Sequence, residues 1–200
     1  MDNLFIYKTI RFSIMSLKNI KIFGINEMRI VLNPQMTFGG VDISQIKFDL
    51  RCRDEIPKML IGFQEIYIKK ELRDKVFKIL EDMIPKKVNK KTGRLGMELW
   101  TIFVLGSLKL NCSWDYDKVQ DSANNHGKVR EMIGLGENEK TIQFPINTIK
   151  DNVPLFTPDV LDRINEEVVK HAQISFEKKN WTDIKGHCDS FVLKTNVHYL

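Results

Sequence analysis

Hydrophobic residues recur at steps of three and four positions along segment 71–84, which is the spacing of side chains that share one face of an α-helix. The residues on this face are Leu72, Val76, Ile79, Leu80 and Met83. Pro85 follows them and cannot continue a helix. The pattern therefore predicts an amphipathic helix over 71–84 with one buried face.

A helix is also predicted on each side of this segment. Asp54 is a suitable N-cap, and Pro57 suits a first turn because its missing amide hydrogen has no intrahelical partner there. A helix is therefore expected to begin at Asp54 and to reach about Tyr67. Segment 97–110 is apolar around nearly its whole circumference, which predicts a helix at the centre of the core.

Shorter helices are expected next. Ser113 is the predicted N-cap of a helix that extends to about residue 125, and the charge of Asp115 favours its N-terminus. A glycine-bounded helix follows over 127–134, and another is expected within 144–156. Tight turns join these elements, so the predicted core is helical.

The last helical pattern covers 159–176 and follows Thr157, which is another candidate N-cap. Its charged residues lie largely off the apolar face, so a solvated amphipathic helix is expected. The pattern changes at 188–197, where β-branched and aromatic residues without Gly or Pro predict a strand. A single strand cannot bury a sheet.

The residues before the first helix show no clear period. We expect residues 1–27 to be either an upstream extension ahead of a start at Met28 or a short amphipathic arm that packs on the body. Residues 29–50 predict a loosely structured leader that contains an extended run over 41–48.

The composition is that of an ordinary folded protein, with 42% hydrophobic and 28% charged residues. No stretch of about 18 apolar residues is free of charge, so neither a membrane-spanning helix nor a membrane partner is expected. The three cysteines, Cys52, Cys112 and Cys188, are odd in number and far apart. This spacing favours a reducing, cytoplasmic compartment over a disulfide framework or a zinc finger.

The formal net charge of +5 arises from 31 Lys and Arg against 26 Asp and Glu, which permits nucleic-acid binding without requiring it. Segment 86–94 has five positive charges and no negative one. These are Lys86, Lys87, Lys90, Lys91 and Arg94. An exposed basic loop that neutralises DNA phosphates is one interpretation, and a solvated linker is the other.

The helices predicted within 97–134 have the spacing of a helix-turn-helix unit. On the middle helix, Gln120, Asn124 and Asn125 have side-chain amides that can read base edges. Simple packing of three helices is the alternative. His126 is expected to cap a helix or to lie at the surface, and not to bind a ligand.

Asp189 stands near the start of the predicted strand, with Phe191 and Leu193 on the same face. A carboxylate at the edge of an apolar surface needs a partner or a cation. A hard ion such as Mg²⁺ would meet that need, although Mg²⁺ requires more oxygen ligands than this strand supplies. A structural role for Asp189 is the alternative, and the nearby His and Cys residues lack the spacing of a zinc site.

Several sequence blocks, taken in order, resemble the N-terminal half of bacterial insertion-sequence transposases of the DDE, ribonuclease-H-like type. They are GVDISQI at 40–46, RDEIP at 53–57, KKV at 86–88 with GRLGM at 93–97, WDYD at 114–117, ANNH at 123–126, and CDSFV with TNVHY between 188 and 199. The resemblance covers about residues 28–199 and leaves out residues 1–27.

The resemblance implies a DNA strand-transfer enzyme. In that family a helical N-terminal region recognises the transposon ends, and a ribonuclease-H-like α/β domain holds three acidic residues around two metal ions. Asp189 matches the first of these acids as a catalytic residue and Mg²⁺ ligand, and the other two would lie beyond Leu200. The implied division is a leader over 1–50, a helical DNA-binding region over 51–156, and a long helix with the start of an incomplete catalytic domain over 157–200.

The expected fold is mainly α, a helical bundle with a helix-turn-helix-like segment, followed by the first strand of an incomplete ribonuclease-H-like domain. The expected function is binding to double-stranded DNA at transposon terminal inverted repeats. Strand transfer by this chain alone and a bound Mg²⁺ are not expected, because two of the three acids are missing. The sequence leaves open whether the protein forms a homodimer. The alternative function is that of a non-enzymatic helical module that binds DNA or another protein.

Overall fold

The computed structural model describes residues 27–33, 40–49, 51, 54–84, 94–136 and 139–177, and within them the protein is mainly helical. The α-helices of the described residues are α1 (Ile56–Ile68), α2 (Lys70–Asp82), α3 (Leu99–Asn111), α4 (Tyr116–Asn125), α5 (Gly127–Met132), α6 (Ile146–Asn152) and α7 (Pro158–Glu177). The same residues include strands β1 (Glu27–Met28) and β2 (Arg94–Leu95), and 3-10 turns at Ile43–Gln45 and Val153–Leu155.

Helix α3 lies at the centre of the core, as its apolar circumference predicts. Every residue from Leu99 to Leu108 is buried. The ring of Trp100 packs 5.2 Å from that of Phe103, and the ring of Phe63 on α1 lies 4.9 Å from Phe103 on its other side. Because burying a large apolar side chain contributes about 1.5–3 kcal/mol, α3 is the main hydrophobic support of the fold.

Residues 27–33 cap the start of α3 through the backbone. The carbonyl oxygens of Ile30 and Val31 accept hydrogen bonds from the amides of Leu99 and Trp100, at 3.0 and 2.8 Å. The first amides of a helix have no partner within the helix. The segment therefore supplies acceptors that the central helix needs, and it belongs to the helical body.

The leader differs from the expected extended run. Strand β1 is two residues long and pairs in parallel with β2. Within the run 41–48, residues Ile43–Gln45 form a 3-10 turn and not an extended segment. The reason is local, because Oδ1 of Asp42 accepts the amide hydrogen of Ser44 at 2.9 Å and closes the turn.

The predicted helices are confirmed, with bounds that shift by one or two residues. The helix expected over 71–84 is α2, that expected over 97–110 is α3, and that expected over 159–176 is α7. Asp54 is not the N-cap of α1, contrary to the sequence prediction, because Glu55 occupies that position without a side-chain capping bond. Asp54 lies one residue earlier, where its Oδ1 accepts the amide hydrogen of Ile56 at 3.1 Å.

Ser113 is not the N-cap of α4, contrary to the sequence prediction. The N-cap is Asp115, whose Oδ1 accepts the amide hydrogen of Lys118 at 2.8 Å. An N-cap residue normally has extended backbone angles, whereas Ser113 has a φ of 53° in the turn that follows α3. The left-handed conformation of Ser113 therefore excludes the capping role.

Other predictions fall on residues 1–26, 85–93 and 178–200, which lie outside the described residues. They concern the upstream extension, the conformation of the basic loop and the strand over 188–197. The division of the chain into three regions also stays a prediction. In the part of the chain that is described, no helix combines the length and the apolar character needed to cross a bilayer.

Candidate functional site

The basic segment, residues 86–94, adjoins the helical body at both ends. Ile84, just before it, is buried with 8% of its surface exposed, and Met97, just after it, is buried with 9% exposed. The backbone of Arg94 forms part of β2. The other four cations of the segment, Lys86, Lys87, Lys90 and Lys91, lie outside the described residues. The structure thus fixes where the segment begins and ends.

The three side-chain amides expected to read DNA bases have partners within the protein. Gln120 Nε2 and Asn124 Nδ2 donate to the carbonyl oxygen of Phe144, at 2.9 and 3.1 Å. Asn124 Oδ1 accepts the amide hydrogen of Phe144 at 2.8 Å, and Asn125 Nδ2 donates to Oδ1 of Asp121 at 2.8 Å. Gln120 and Asn124 therefore hold the chain before α6 against α4.

The exposed side of α4 has charges of both signs. Asp117, Lys118 and Asp121 are all exposed, and Lys118 Nζ lies 3.0 Å from Oδ2 of Asp121. The hydrogen bond from Asn125, and then the bond and charge of Lys118, lower the pKa of the Asp121 carboxyl. Two carboxylates beside one paired ammonium do not attract phosphate, so this side of α4 is a poor surface for the DNA backbone.

Arg130 on α5 is a structural cation that the sequence reasoning missed. It is buried, with 6% of its surface exposed. Its Nη1 donates to the carbonyl oxygens of Ala123, Asn124 and Ile142 at 3.1, 3.3 and 3.2 Å, and its Nη2 donates to that of Glu139 at 2.7 Å. A buried charge requires such partners. Arg130 therefore joins the end of α4 to the chain that follows α5.

The sequence contains a signal for this role. Arg130 stands next to Val129 and two positions before Met132, and both of these residues are buried. A single cation among the buried positions of a short helix is seldom buried without partners. Arginine offers five donors in a fixed geometry, which suits it to several carbonyl oxygens at once.

His126 caps a helix, as the sequence predicts. Its Nδ1 accepts the amide hydrogen of Val129 at 3.3 Å and so caps α5. Its own amide donates to the carbonyl oxygen of Ser122 at 3.1 Å and ends α4. One residue thus separates α4 from α5, whereas four residues separate α3 from α4. Of these two junctions, only that between α3 and α4 has the turn length of a helix-turn-helix unit.

The thiol of Cys112 is not activated as a nucleophile. Burial, followed by the charges of Glu55 and Asp54, raises the pKa of this thiol, and the nucleophile in cysteine chemistry is the thiolate. Among the residues with described positions, no three His, Cys, Asp or Glu side chains converge into a group that could hold a metal ion. Asp189, the expected Mg²⁺ ligand, lies outside them.

Charge is distributed unevenly between the described residues and the rest of the chain. The described residues contain 18 Lys and Arg against 22 Asp and Glu, whereas the whole chain contains 31 and 26. The helical body is therefore acidic, and the positive excess lies in the remaining sequence. An anionic partner is attracted to those segments and not to the body.

Comparison of the chain with protein-family models, with curated proteins and with solved structures finds no match. The resemblance to insertion-sequence transposases therefore depends on the ordered sequence blocks alone.

Proposed function

We propose that this protein binds duplex DNA at transposon ends, as the DNA-contacting part of a DDE-type transposase, and that the basic segment contacts the phosphate backbone. The observation that carries the proposal is the concentration of cations in residues 86–94, next to a helical body whose net charge is negative. The ordered blocks that resemble the transposase family add the expectation of transposon ends as the partner.

The electrostatics define how such binding would behave. Each phosphate that a cation neutralises releases counterions, so the logarithm of the affinity falls with the logarithm of the salt concentration by about 0.9 per contact. Five contacts from residues 86–94 correspond to a slope of about −4.5. The acidic body repels DNA, which makes the binding free energy depend on the basic segments.

Base reading from α4 is a smaller part of the proposal. Gln120 and Asn124 can reach a base only by giving up their hydrogen bonds to Phe144, each worth about 0.5–1.5 kcal/mol net. Asn125 is exposed, and its side-chain amide donates to the exposed Asp121 across one turn. Any sequence preference from this helix therefore falls mainly to Asn125, and it is small because the neighbouring carboxylates of Asp117 and Asp121 repel the DNA backbone.

The proposal separates DNA binding from DNA chemistry. Metal-assisted phosphoryl transfer uses two ions about 4 Å apart to stabilise the attacking and leaving oxygens. In this proposal Asp189, which matches the first acid of the family, is a metal ligand. The basic segment, residues 86–94, supplies the DNA binding, and the helical body positions that segment.

The direct test is fluorescence anisotropy of the full chain with two labelled duplexes of equal length. One is taken from the DNA that borders the coding sequence and contains its inverted repeat, and the other has a random sequence. A variant that changes Lys86, Lys87, Lys90 and Lys91 to Gln should bind both duplexes more weakly, and the salt slope should fall in magnitude by about 3.6.

A matched control variant changes four exposed lysines of the helical body to Gln, namely Lys70, Lys78, Lys140 and Lys150. This variant has the same net charge as the first, and we expect its salt slope to stay near that of the unchanged chain. Equal slopes for the two variants would show that net charge alone governs binding. Equal affinity of the unchanged chain for the two duplexes would contradict recognition of transposon ends.

The second candidate is a non-enzymatic helical module that binds a protein partner. It is favoured by the acidic charge of the described body and by the internal bonds of Gln120 and Asn124. The same titration separates the candidates, because this module is expected to show no salt-dependent binding to either duplex.

A further inference from the structure

The long helix α7 is held to the rest of the body differently from the central helix. Among the positions of α7 whose side chains are described, residues 158–174, buried apolar side chains occur at five, namely Val160, Leu161, Ile164, Val168 and Ala172. Ten consecutive residues of the 13-residue α3 are buried. Since stability scales with the apolar surface removed from water, the docking of α7 is weak relative to that of α3.

Polar atoms lie beneath α7, in the interface with α1 and α3. Ser107, Asn111 and Asn165 line a cavity of about 10 Å³ in this interface, together with apolar side chains such as Phe63 and Phe103. Within the described residues, Ser107 Oγ and Asn111 Oδ1 are buried and have no hydrogen-bond partner. Burying an unpaired polar atom costs free energy that is recovered when water reaches it, so closure of α7 is opposed at this point.

Ion pairs at the surface hold the edge of α7 to α2. Lys75 Nζ lies 3.0 Å from Oε2 of Glu167, and Nη2 of Arg163 lies 3.3 Å from Oδ2 of Asp82. Three of these four side chains are about half exposed. Pairs of this kind are weak and are screened by salt.

The chain that leads into α7 passes from a buried residue, Phe156, directly to exposed residues. Phe156 is 3% exposed, and its ring lies 5.7 Å from that of Phe103. Thr157 and Pro158 come directly after it and are exposed. A rotation at Thr157 can therefore move α7 while Phe156 stays anchored in the core.

We propose that α7 opens separately from the rest of the protein. It detaches as one unit from α1, α2 and α3, while these helices stay folded. Salt promotes the opening because it weakens the ion pairs to α2. Opening exposes the apolar surface under the helix, which includes Phe63 and Phe103. The inference does not depend on the proposed DNA binding.

Native-state hydrogen exchange of the full chain, read by mass spectrometry of peptides, tests the proposal. We expect the amides of α7 to exchange at least tenfold faster than those of α3 and to speed up further between low and high salt. Equal protection of α7 and α3, or exchange of α7 that does not respond to salt, would overturn it.

The variant Ser107→Ala removes one unpaired hydroxyl from under α7. We expect it to slow the exchange of α7 by a factor of about ten, which corresponds to the cost of one such group. Ser122→Ala is the matched control, because Ser122 is a buried helical serine on α4. A Ser107→Ala variant that slows α3 and α7 equally, or that leaves α7 unchanged, would contradict a separate opening.

The variant Lys75→Gln removes one ion pair between α2 and α7. At low salt we expect α7 to exchange about two- to fivefold faster, and at 1 M salt we expect the difference to disappear. Lys118→Gln is the control, because it removes an ion pair within α4. The same acceleration of α7 in both variants would count against the proposed contact.

Discussion

Gly106 determines how closely α3 approaches the chain that leads into α7. A Cβ atom at this position would lie 2.7 Å from both Cβ and Cδ1 of Phe156. Real Cβ atoms do not come that close to other heavy atoms, so any side chain at Gly106 displaces Phe156 from its place against Phe103. The missing side chain is therefore a requirement of packing.

We predict that Gly106→Ala lowers the free energy of unfolding by about 1–3 kcal/mol, the usual cost of overfilling a packed core. This loss outweighs the gain of about 1 kcal/mol in helix propensity. Gly127→Ala is the control, because no atom lies within 4 Å of its added Cβ. Urea denaturation measures both variants, and equal stabilities would contradict the contact with Phe156.

Glu98 gives the stability a dependence on pH. Burial raises the pKa of its carboxyl, and the backbone hydrogen bond from Asn33 opposes the shift. A raised pKa in the folded protein means that the protonated form is favoured there. The contribution of Glu98 to stability is therefore complete at acid pH and is lost as the pH rises through the folded-state pKa.

From this sign we predict that Glu98→Gln raises the free energy of unfolding at pH 7 and has little effect below pH 4.5, the ordinary value for this carboxyl. The amide oxygen of glutamine can still accept the hydrogen bond from Asn33. Denaturation curves between pH 4 and pH 8 measure the difference. An advantage of the variant that grows toward low pH would contradict the raised pKa.

Roles of single residues could be predicted where their partners are close in sequence. His126 was predicted to cap a helix or lie at the surface, and its Nδ1 accepts the amide hydrogen of Val129, three residues away. The partners of Arg130 could not be predicted in the same way, because none of its four carbonyl partners lies on its own helix, and two of them, at Glu139 and Ile142, lie in the chain after it. Such contacts depend on the path of the chain after α5.

At the level of elements, the longer helices were predictable because their apolar residues follow a helical pattern over several turns, whereas α5, with six residues, was predicted from the glycines that bound it. The pairing of Glu27–Met28 with Arg94–Leu95 was not, since a strand of two residues is too short to show alternation. The start of α4 was placed two residues too early because Ser113 was predicted as the cap, whereas Asp115, two residues later, is the N-cap. Only the backbone angles distinguish them.

The cap of α4 gives a prediction for a whole element. We expect Asp115→Ala to lower the free energy of unfolding by about 1 kcal/mol, because the amide of Lys118 loses its acceptor. Asp115→Asn keeps an acceptor and should cost less. Thermal unfolding followed by circular dichroism measures these variants together with Ser113→Ala, and a larger loss for Ser113→Ala than for Asp115→Ala would contradict the assignment.

For the whole molecule, the sequence predicted the sign of the net charge but not its distribution. The count of 31 cations against 26 acids describes a basic chain, whereas the described residues are acidic. That contrast emerges only once the segments that build the helical body are known. The candidate site was therefore predictable as a basic segment, and its contrast with the body was not.

Strands β1 and β2 run in the same direction, so the chain enters both of them from the same end. The sequence ahead of β1 contains Lys8, Arg11, Lys18 and Lys21 against the single acid Asp2, and residues 85–93 ahead of β2 contain four lysines and no acid. In the sequence, two stretches of like charge thus lead directly into neighbouring strands of an oppositely charged body. If a polyanion bound both stretches, it would relieve their mutual repulsion while it gained the attraction of both.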